Sequence, residues 1–272
     1  MRILRADDVR QAIAMPAAIA AMRDAFAQLA RGAVAMPERA VLGVPEHGGT
    51  TLVMPAYLPE SASLGLKVVS VFPGNAARQL PVVSAAVLLL DPATGLPLAL
   101  MDGTYLTALR TGAASGLAAD LLARPDARVV ALFGAGGQAP HQLEAISRVR
   151  RIERAWLVNR TPERAELLRE RVLGWPEAWR PAEVRVAHNA DETRQAVAEA
   201  DIILTATAAS EPLFAGEWVR PGTHVSAVGA FTPQMREVDA ALVRRARVVV
   251  DQRAAALAGA GDLLEAIREG AF

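Results

Sequence analysis

The sequence contains no cysteine, which excludes disulfides, thiolate nucleophiles, iron–sulfur clusters and cysteine-type zinc sites together. Aromatic residues make up only 4% of the chain, and no apolar run approaches the ~20 residues needed to span a bilayer. Net charge is absent as well. The 29 basic side chains balance 29 acidic ones, leaving no electrostatic footprint for a nucleic-acid backbone or an anionic membrane surface. The opening stretch MRILRADDVR has no apolar core of the kind a secretory leader carries. A soluble cytoplasmic protein that binds neither nucleic acid nor membrane is therefore expected. Histidine is scarce: His47, His141, His188 and His224 are scattered without metal-ligand spacing, so no metal is expected. Neither a G-x-S-x-G elbow nor a Walker A sequence occurs, so hydrolase and P-loop readings lack their anchors. Lysine is scarcest of all. Lys67 stands alone among the 29 basic residues, a compact ammonium in a chain that otherwise uses arginine.

What is present is a chain of 272 residues, 52% hydrophobic, enough for a sizeable core and for two domains at roughly one per ~150 residues. The first third mixes element types. A helix is predicted over 15–32, with Pro16 in its first turn and Gly32 at its stop, followed by strands over 51–54, 64–72, 84–90 and 96–101. The last two flank Asp91-Pro92-Ala93-Thr94-Gly95, a turn sequence that argues for an antiparallel hairpin. An alanine-rich helix is predicted over 104–122. Short apolar strands over 128–133, 155–158, 184–186, 202–205, 225–228 and 248–250 then alternate with helical segments, the pattern of a parallel sheet covered on both faces. The expected architecture is α/β: a Rossmann-type doubly wound parallel sheet plus an α+β domain with an antiparallel sheet. The expected domains are 1–117 and 118–252, with 253–272 as a C-terminal helical segment.

The strand 128–133 runs into Gly134-Ala135-Gly136-Gly137-Gln138-Ala139, which fits G-x-G-x-x-A and opens a helix. Gly134 supplies the tight turn, Gly136 a bare backbone for a pyrophosphate at the helix N-terminus, and Ala139 close helix–strand packing. An ordinary strand–helix turn would read similarly, but position between strand and helix at the start of the alternating half favours dinucleotide binding. The next strand ends in Asn159-Arg160-Thr161 where an NAD site commonly carries Asp or Glu. Asn does not repel a 2′-phosphate and Arg160 can pair with one, so NADPH is the expected cofactor, with NADH the alternative.

Three cations lie near the strand ends of the first domain: Arg39 after Met36-Pro37, Lys67 in Leu64-Gly65-Leu66-Lys67-Val68-Val69, and Arg110 before Thr111-Gly112. A cation in an apolar strand, or beside a glycine in an alanine-rich helix, is costly unless it meets an anion. Each taken singly fits an ordinary salt bridge. At these residues the sequence resembles the ornithine cyclodeaminase/mu-crystallin family. The resemblance runs through Met54-Pro55-Ala56-Tyr57, Leu66-Lys67, Phe72-Pro73-Gly74-Asn75, Leu100-Met101-Asp102-Gly103, Leu106-Thr107-Ala108-Leu109-Arg110-Thr111, the Gly134 turn and Val228-Gly229-Ala230, nearly the whole chain.

The resemblance implies a homodimer formed through the antiparallel sheet of the substrate domain, and a Rossmann domain for NAD(H) or NADP(H). It implies that Arg39, Lys67 and Arg110 clamp a substrate α-carboxylate, with Lys67 as the catalytic candidate. Arg110, Thr111, Gly134, Gly136, Gly137, Gln138, Ala139, Asn159, Arg160, Thr161, Thr205, Thr207, Val228 and Gly229 are expected at the cofactor. It further implies a C-terminal segment returning to the first domain, relative to which 253–272 is expected to be truncated. Two departures narrow the activity. The Asp that cyclodeaminases carry after Val-Gly-Gly is Phe231 here, and Leu52-Val53 replace the carboxylate before Met-Pro. The Ala-Phe-Thr-Pro variant looks more like the family's cyclic-imine reductases, which turn Δ1-pyrroline-2-carboxylate or Δ1-piperideine-2-carboxylate into L-proline or L-pipecolate, with Phe231 at the substrate. The alternatives are an amino-acid dehydrogenase of the alanine dehydrogenase type, an ornithine cyclodeaminase, and a non-catalytic NADPH-dependent binder of a small ligand like mu-crystallin.

Overall fold

The computed structural model describes residues 1–271. It divides into two compact units, Met1–Arg110 and the chain from Thr111 onward. The division falls inside a helix, seven residues before the expected boundary.

The first unit comprises β1 (Arg2–Leu4), α1 (Ala6–Ala12), α2 (Met15–Ala30), β2 (Ala40–Val44), β3 (Gly49–Leu58), β4 (Ser63–Val71), β5 (Val83–Leu90), β6 (Pro97–Asp102) and the start of α3 (Gly103–Leu122). Its sheet has the order β1-β6-β5-β4-β3-β2. Pairing is antiparallel from β2 to β6, and the Asp91–Gly95 turn closes the expected β5–β6 hairpin. The sheet is nevertheless mixed, because β1 lies parallel to β6. Alternation along β4 sends Lys67 and Val69 to one face and Leu66 and Val68 to the other. Val69 and Ala99 are buried on the Lys67 side. The opposite face carries Ile3, Leu42 and Val53, which are 71%, 67% and 37% exposed. The entry into α3 is fixed by three close contacts. Asp102 Oδ1 accepts from Tyr105 N at 2.8 Å, Thr104 Oγ1 accepts from Ala85 N at 3.0 Å, and Gly103 lies so near β5 that a Cβ would stand 2.7 Å from the Ala85 carbonyl carbon.

The second unit contains the rest of α3, then β7 (Val129–Phe133), α4 (Ala139–Val149), β8 (Arg154–Val158), α5 (Pro162–Leu173), β9 (Glu183–Ala187), α6 (Ala190–Glu199), β10 (Ile202–Thr205), β11 (His224–Ala227), α7 (Ala240–Arg245), α8 (Arg253–Gly259) and α9 (Gly261–Arg268). Its sheet is wholly parallel, in the order β11-β10-β7-β8-β9. The chain winds outward through β8 and β9, then crosses to β10 and β11, so the switch point lies between β7 and β10. Strand side chains alternate between two cores. Val130, Leu132, Leu157 and Leu204 pack with Leu143 and Ile146 of α4 and Leu168 of α5. Ala131, Phe133 and Ile203 face the other way, onto Val197 of α6, Leu242 of α7 and Ala266 of α9. The Arg150 guanidinium closes the end of α3 by donating to the carbonyls of Ala119, Asp120, Ala123 and Arg124.

One expectation fails here. Residues 248–250 form no strand; Val248, Val249 and Val250 are exposed and unpaired with any strand, because β-branched propensity alone does not supply a partner strand. The helical segment expected over 253–272 consists of two helices, α8 and α9, that meet at Ala260, and it packs within the second unit through Ala256, Asp262 and Ala266; Phe272 lies outside the described residues.

Candidate active site

In the first unit, register places the lysine. Lys67 stands opposite Met54 on β3 and Val87 on β5. The β2–β3 ladder begins at Ala40 opposite Val53, and Arg39 immediately precedes it, outside the paired residues. Arg110 sits two turns into α3, whose start is fastened to β5. The Lys67 ammonium feels it: burial first, and the Arg110 charge second, lower its pKa from 10.5 to about 8. Lys67 is half-buried, and Arg39 and Arg110 are exposed. A half-buried ammonium whose charge is opposed by a neighbouring guanidinium is relieved by any anion that approaches it.

In the second unit the glycine turn has the shape its sequence requires. Gly134 has φ +103°, donates to Val158 O at 2.8 Å, and passes so close to Ala206 that a Cβ would lie 2.6 Å from its carbonyl oxygen. A Cβ on Gly136 or Gly137 would meet nothing within 4 Å, so the backbone there faces open space. Gln138, at the start of α4, makes no side-chain cap, and its Oε1 is buried without a hydrogen-bond partner. Ala139 is fully buried against the sheet. These features fit the pyrophosphate of a dinucleotide: an open cradle, bare N–H groups and a helix N-terminus.

Asn159 braces this turn. Its Oδ1 accepts from Ala135 N at 3.1 Å and its Nδ2 donates to Thr161 O at 2.8 Å. Arg160 beside it is exposed. Thr205, at the end of β10, is fully buried and gives its hydroxyl to Glu237, as does Thr207. Val228 N donates to Thr205 O at 3.0 Å, and Gly229 follows. Thr111 opens the second unit in mid-α3 and is half-buried. Phe231, on the loop after Gly229, is 49% exposed, too open for a core aromatic. Glu237 and Asp262, both buried, were not singled out from sequence; Arg236-Glu237-Val238-Asp239 reads as a solvated loop, and nothing in that stretch marks a buried carboxylate.

A cavity of about 590 Å³ on β9, lined by Trp156, Glu166, Glu183, Arg185 and His188, contains none of these residues, and its Glu183 is already paired with Arg154 and Arg185. Among the described residues no cluster of three His, Asp or Glu side chains could hold a metal. No helix among them is long and apolar enough to cross a membrane.

A doubly wound sheet with this turn, joined in one chain to a mixed sheet bearing Lys67, defines a dinucleotide-dependent class of protein. The profile of the ornithine cyclodeaminase/mu-crystallin family matches residues 1–267, and the chain belongs to that family. It is 41% identical over 233 residues to mouse ketimine reductase mu-crystallin, covering 86% of this chain and 71% of the relative. It is 38% identical over 273 residues to a Δ1-pyrroline-2-carboxylate reductase of Bacillus cereus, covering all of this chain and 82% of that one. The structure of Thermococcus litoralis Δ1-pyrroline-2-carboxylate reductase with NADH and L-proline superposes with a TM-score of 0.92 at 40% identity, over all of this chain and 82% of that chain.

Proposed function

We propose that this protein is an NAD(P)H-dependent reductase of a small cyclic imino acid, Δ1-pyrroline-2-carboxylate or Δ1-piperideine-2-carboxylate, giving L-proline or L-pipecolate. The observation that carries the reading is the half-buried Lys67 beside Arg110, its pKa lowered to about 8, in a sheet whose second strand is preceded by Arg39. Such a group holds an α-carboxylate and, being near neutrality, can also deliver a proton to the imine nitrogen as the carbon is reduced. Bound NAD(P)H supplies the hydride that this carbon accepts. Arg39 and Arg110 fix the carboxylate end of the substrate, and Phe231 offers an apolar wall suited to the methylenes of a closed ring. Phe231 and Leu52 stand where the resemblance puts the carboxylates that meet the second amino group of a diamine such as ornithine. The relatives named for imine reduction, and the proline held by the Thermococcus protein, agree with this choice.

NADPH is the proposed preference, on Arg160 and on the absence of a carboxylate at Asn159. A homodimer through the face carrying Ile3, Leu42 and Val53 is proposed because isolated sheet faces this apolar are rarely left in water. The location proposed is the cytoplasm, where NAD(P)H is the working reductant. The test is NADPH oxidation by the purified protein with each cyclic imine, with pyruvate plus ammonia, and with no substrate, together with ammonia release from ornithine in the presence of the oxidised cofactor. Turnover of the imines is expected. Turnover confined to pyruvate and ammonia would make the protein an amino-acid dehydrogenase, and binding without turnover would make it a ligand carrier.

A further inference from the structure

Glu237 is fully buried, and its carboxylate is saturated with donors. Oε1 accepts from Thr207 N and Thr207 Oγ1, and Oε2 from Thr205 Oγ1 and Gly229 N, all four at 2.7 Å. A carboxylate has about four lone-pair positions, so none is left over. The donors come from the exits of β10 and β11, adjacent parallel strands on the far side of the switch point from Asn159. Gly229 is obligatory for this packing, since a Cβ there would lie 2.2 Å from Thr207 O and 2.5 Å from Glu237 Oε1. Glu237 is itself held from below. Asp262, at the start of α9, accepts from Glu237 N at 2.6 Å and Val238 N at 3.0 Å, and Gly261 beside it passes so near Met235 that a Cβ would lie 2.0 Å from its carbonyl oxygen. Burial pushes the Glu237 carboxyl up from its ordinary pKa while the four donors pull it down. Four charge-assisted bonds on one desolvated group give the two loops a single arrangement.

A doubly wound sheet receives the two halves of a dinucleotide on either side of its switch point, at the carboxyl ends of the strands. The Gly134 turn and Asn159 belong to the adenosine half, which leaves the exits of β10 and β11 for the nicotinamide half. Resting on the dinucleotide reading above, we propose that Glu237 is a positioning residue that sets the Thr205–Thr207 and Val228–Gly229 backbones in the arrangement that receives the nicotinamide riboside, supported through its own backbone by Asp262. It touches neither cofactor nor substrate.

The test is Glu237→Gln in the whole chain. Thr207 N and Gly229 N can only donate and face different oxygens, so in either orientation the new amide turns its NH2 on one of them and leaves a buried N–H opposed. Dissociation constants are measured for NADPH and for ADP, which carries adenosine and two phosphates but no nicotinamide riboside. We expect NADPH to bind about tenfold more weakly to the variant and ADP to bind within about twofold of the unmutated protein. An unchanged NADPH constant, or equal weakening of both ligands, would overturn the proposal, the latter because it marks damage to the whole unit. Thr205→Val, which removes one donor at nearly constant volume, is expected to show the same split at about threefold; it decides the matter if the glutamine variant does not fold. Failure of the unmutated protein to bind either ligand would instead overturn the function proposed above.

Discussion

The lysine at position 67 gives the sharpest expectation. Its ammonium is disfavoured by burial and by Arg110, which lower its pKa from 10.5 to about 8. At full burial that depression would correspond to about 3 kcal/mol against the charged form; for a half-buried group, screening reduces it to about 2 kcal/mol. A substrate carboxylate relieves this penalty, so the anion binds best while Lys67 is charged, and binding raises its pKa. Two consequences are measurable. In the unmutated protein kcat/KM should fall about tenfold per pH unit above about 8, as the ammonium that holds the carboxylate and donates the proton is lost. In Lys67→Arg the charge persists to far higher pH, so this limb should vanish, while kcat near neutrality falls about a hundredfold because a guanidinium does not give up its proton. The folded protein should also gain stability between pH about 8 and 10.5, where the unfolded chain still binds the Lys67 proton and the folded one has lost it. The assay is a pH profile of NADPH oxidation with a cyclic imine for both proteins. A basic limb that survives unchanged in Lys67→Arg would belong to the imine nitrogen, and would refute the role given to Lys67.

Arg160→Ala should weaken NADPH by about 1 to 3 kcal/mol and leave NADH nearly unchanged, read as the two Michaelis constants; equal constants in the unmutated protein would remove the basis for the preference. Gly134→Ala places a Cβ 2.6 Å from Ala206 O on a backbone at φ +103°, so thermal melting should show a loss of about 2 kcal/mol or more together with loss of cofactor binding. Phe231→Asp should slow imine reduction by setting an unpaired charge against the ring, and ammonia assays should detect no cyclodeaminase activity, because Leu52 still stands where the second carboxylate is absent.

The sequence made the second unit legible because its signals are local and redundant: five short strands, of which β7 and β10 are nearly all apolar, alternating with helices, and a glycine turn whose positive φ and close approach only glycine permits. The valines at 248–250 carry the same local signal and form no strand, since pairing is a property of two segments. The first unit was less legible at its edges. β1 is three residues long, and β2 mixes exposed apolar residues with Gly43, so neither has the period or length that marks a strand. Lys67 stood out by composition, but its adjacency to Arg110 depends on how α3 is fastened to β5, through Gly103 and Thr104. Glu237 could not be seen at all, because its four donors come from residues 8 to 32 positions away and a buried carboxylate has no sequence signature of its own.

The claim at the centre of this account is that hydride passes to the ring carbon of a cyclic imino acid held by its carboxylate. Incubating the protein with Δ1-pyrroline-2-carboxylate and NADPH deuterated at the transferable C4 position, then analysing the product by mass spectrometry and chiral chromatography, tests it directly. The expected product is L-proline carrying one deuterium at Cα. Absence of proline, or proline without deuterium, would contradict the account.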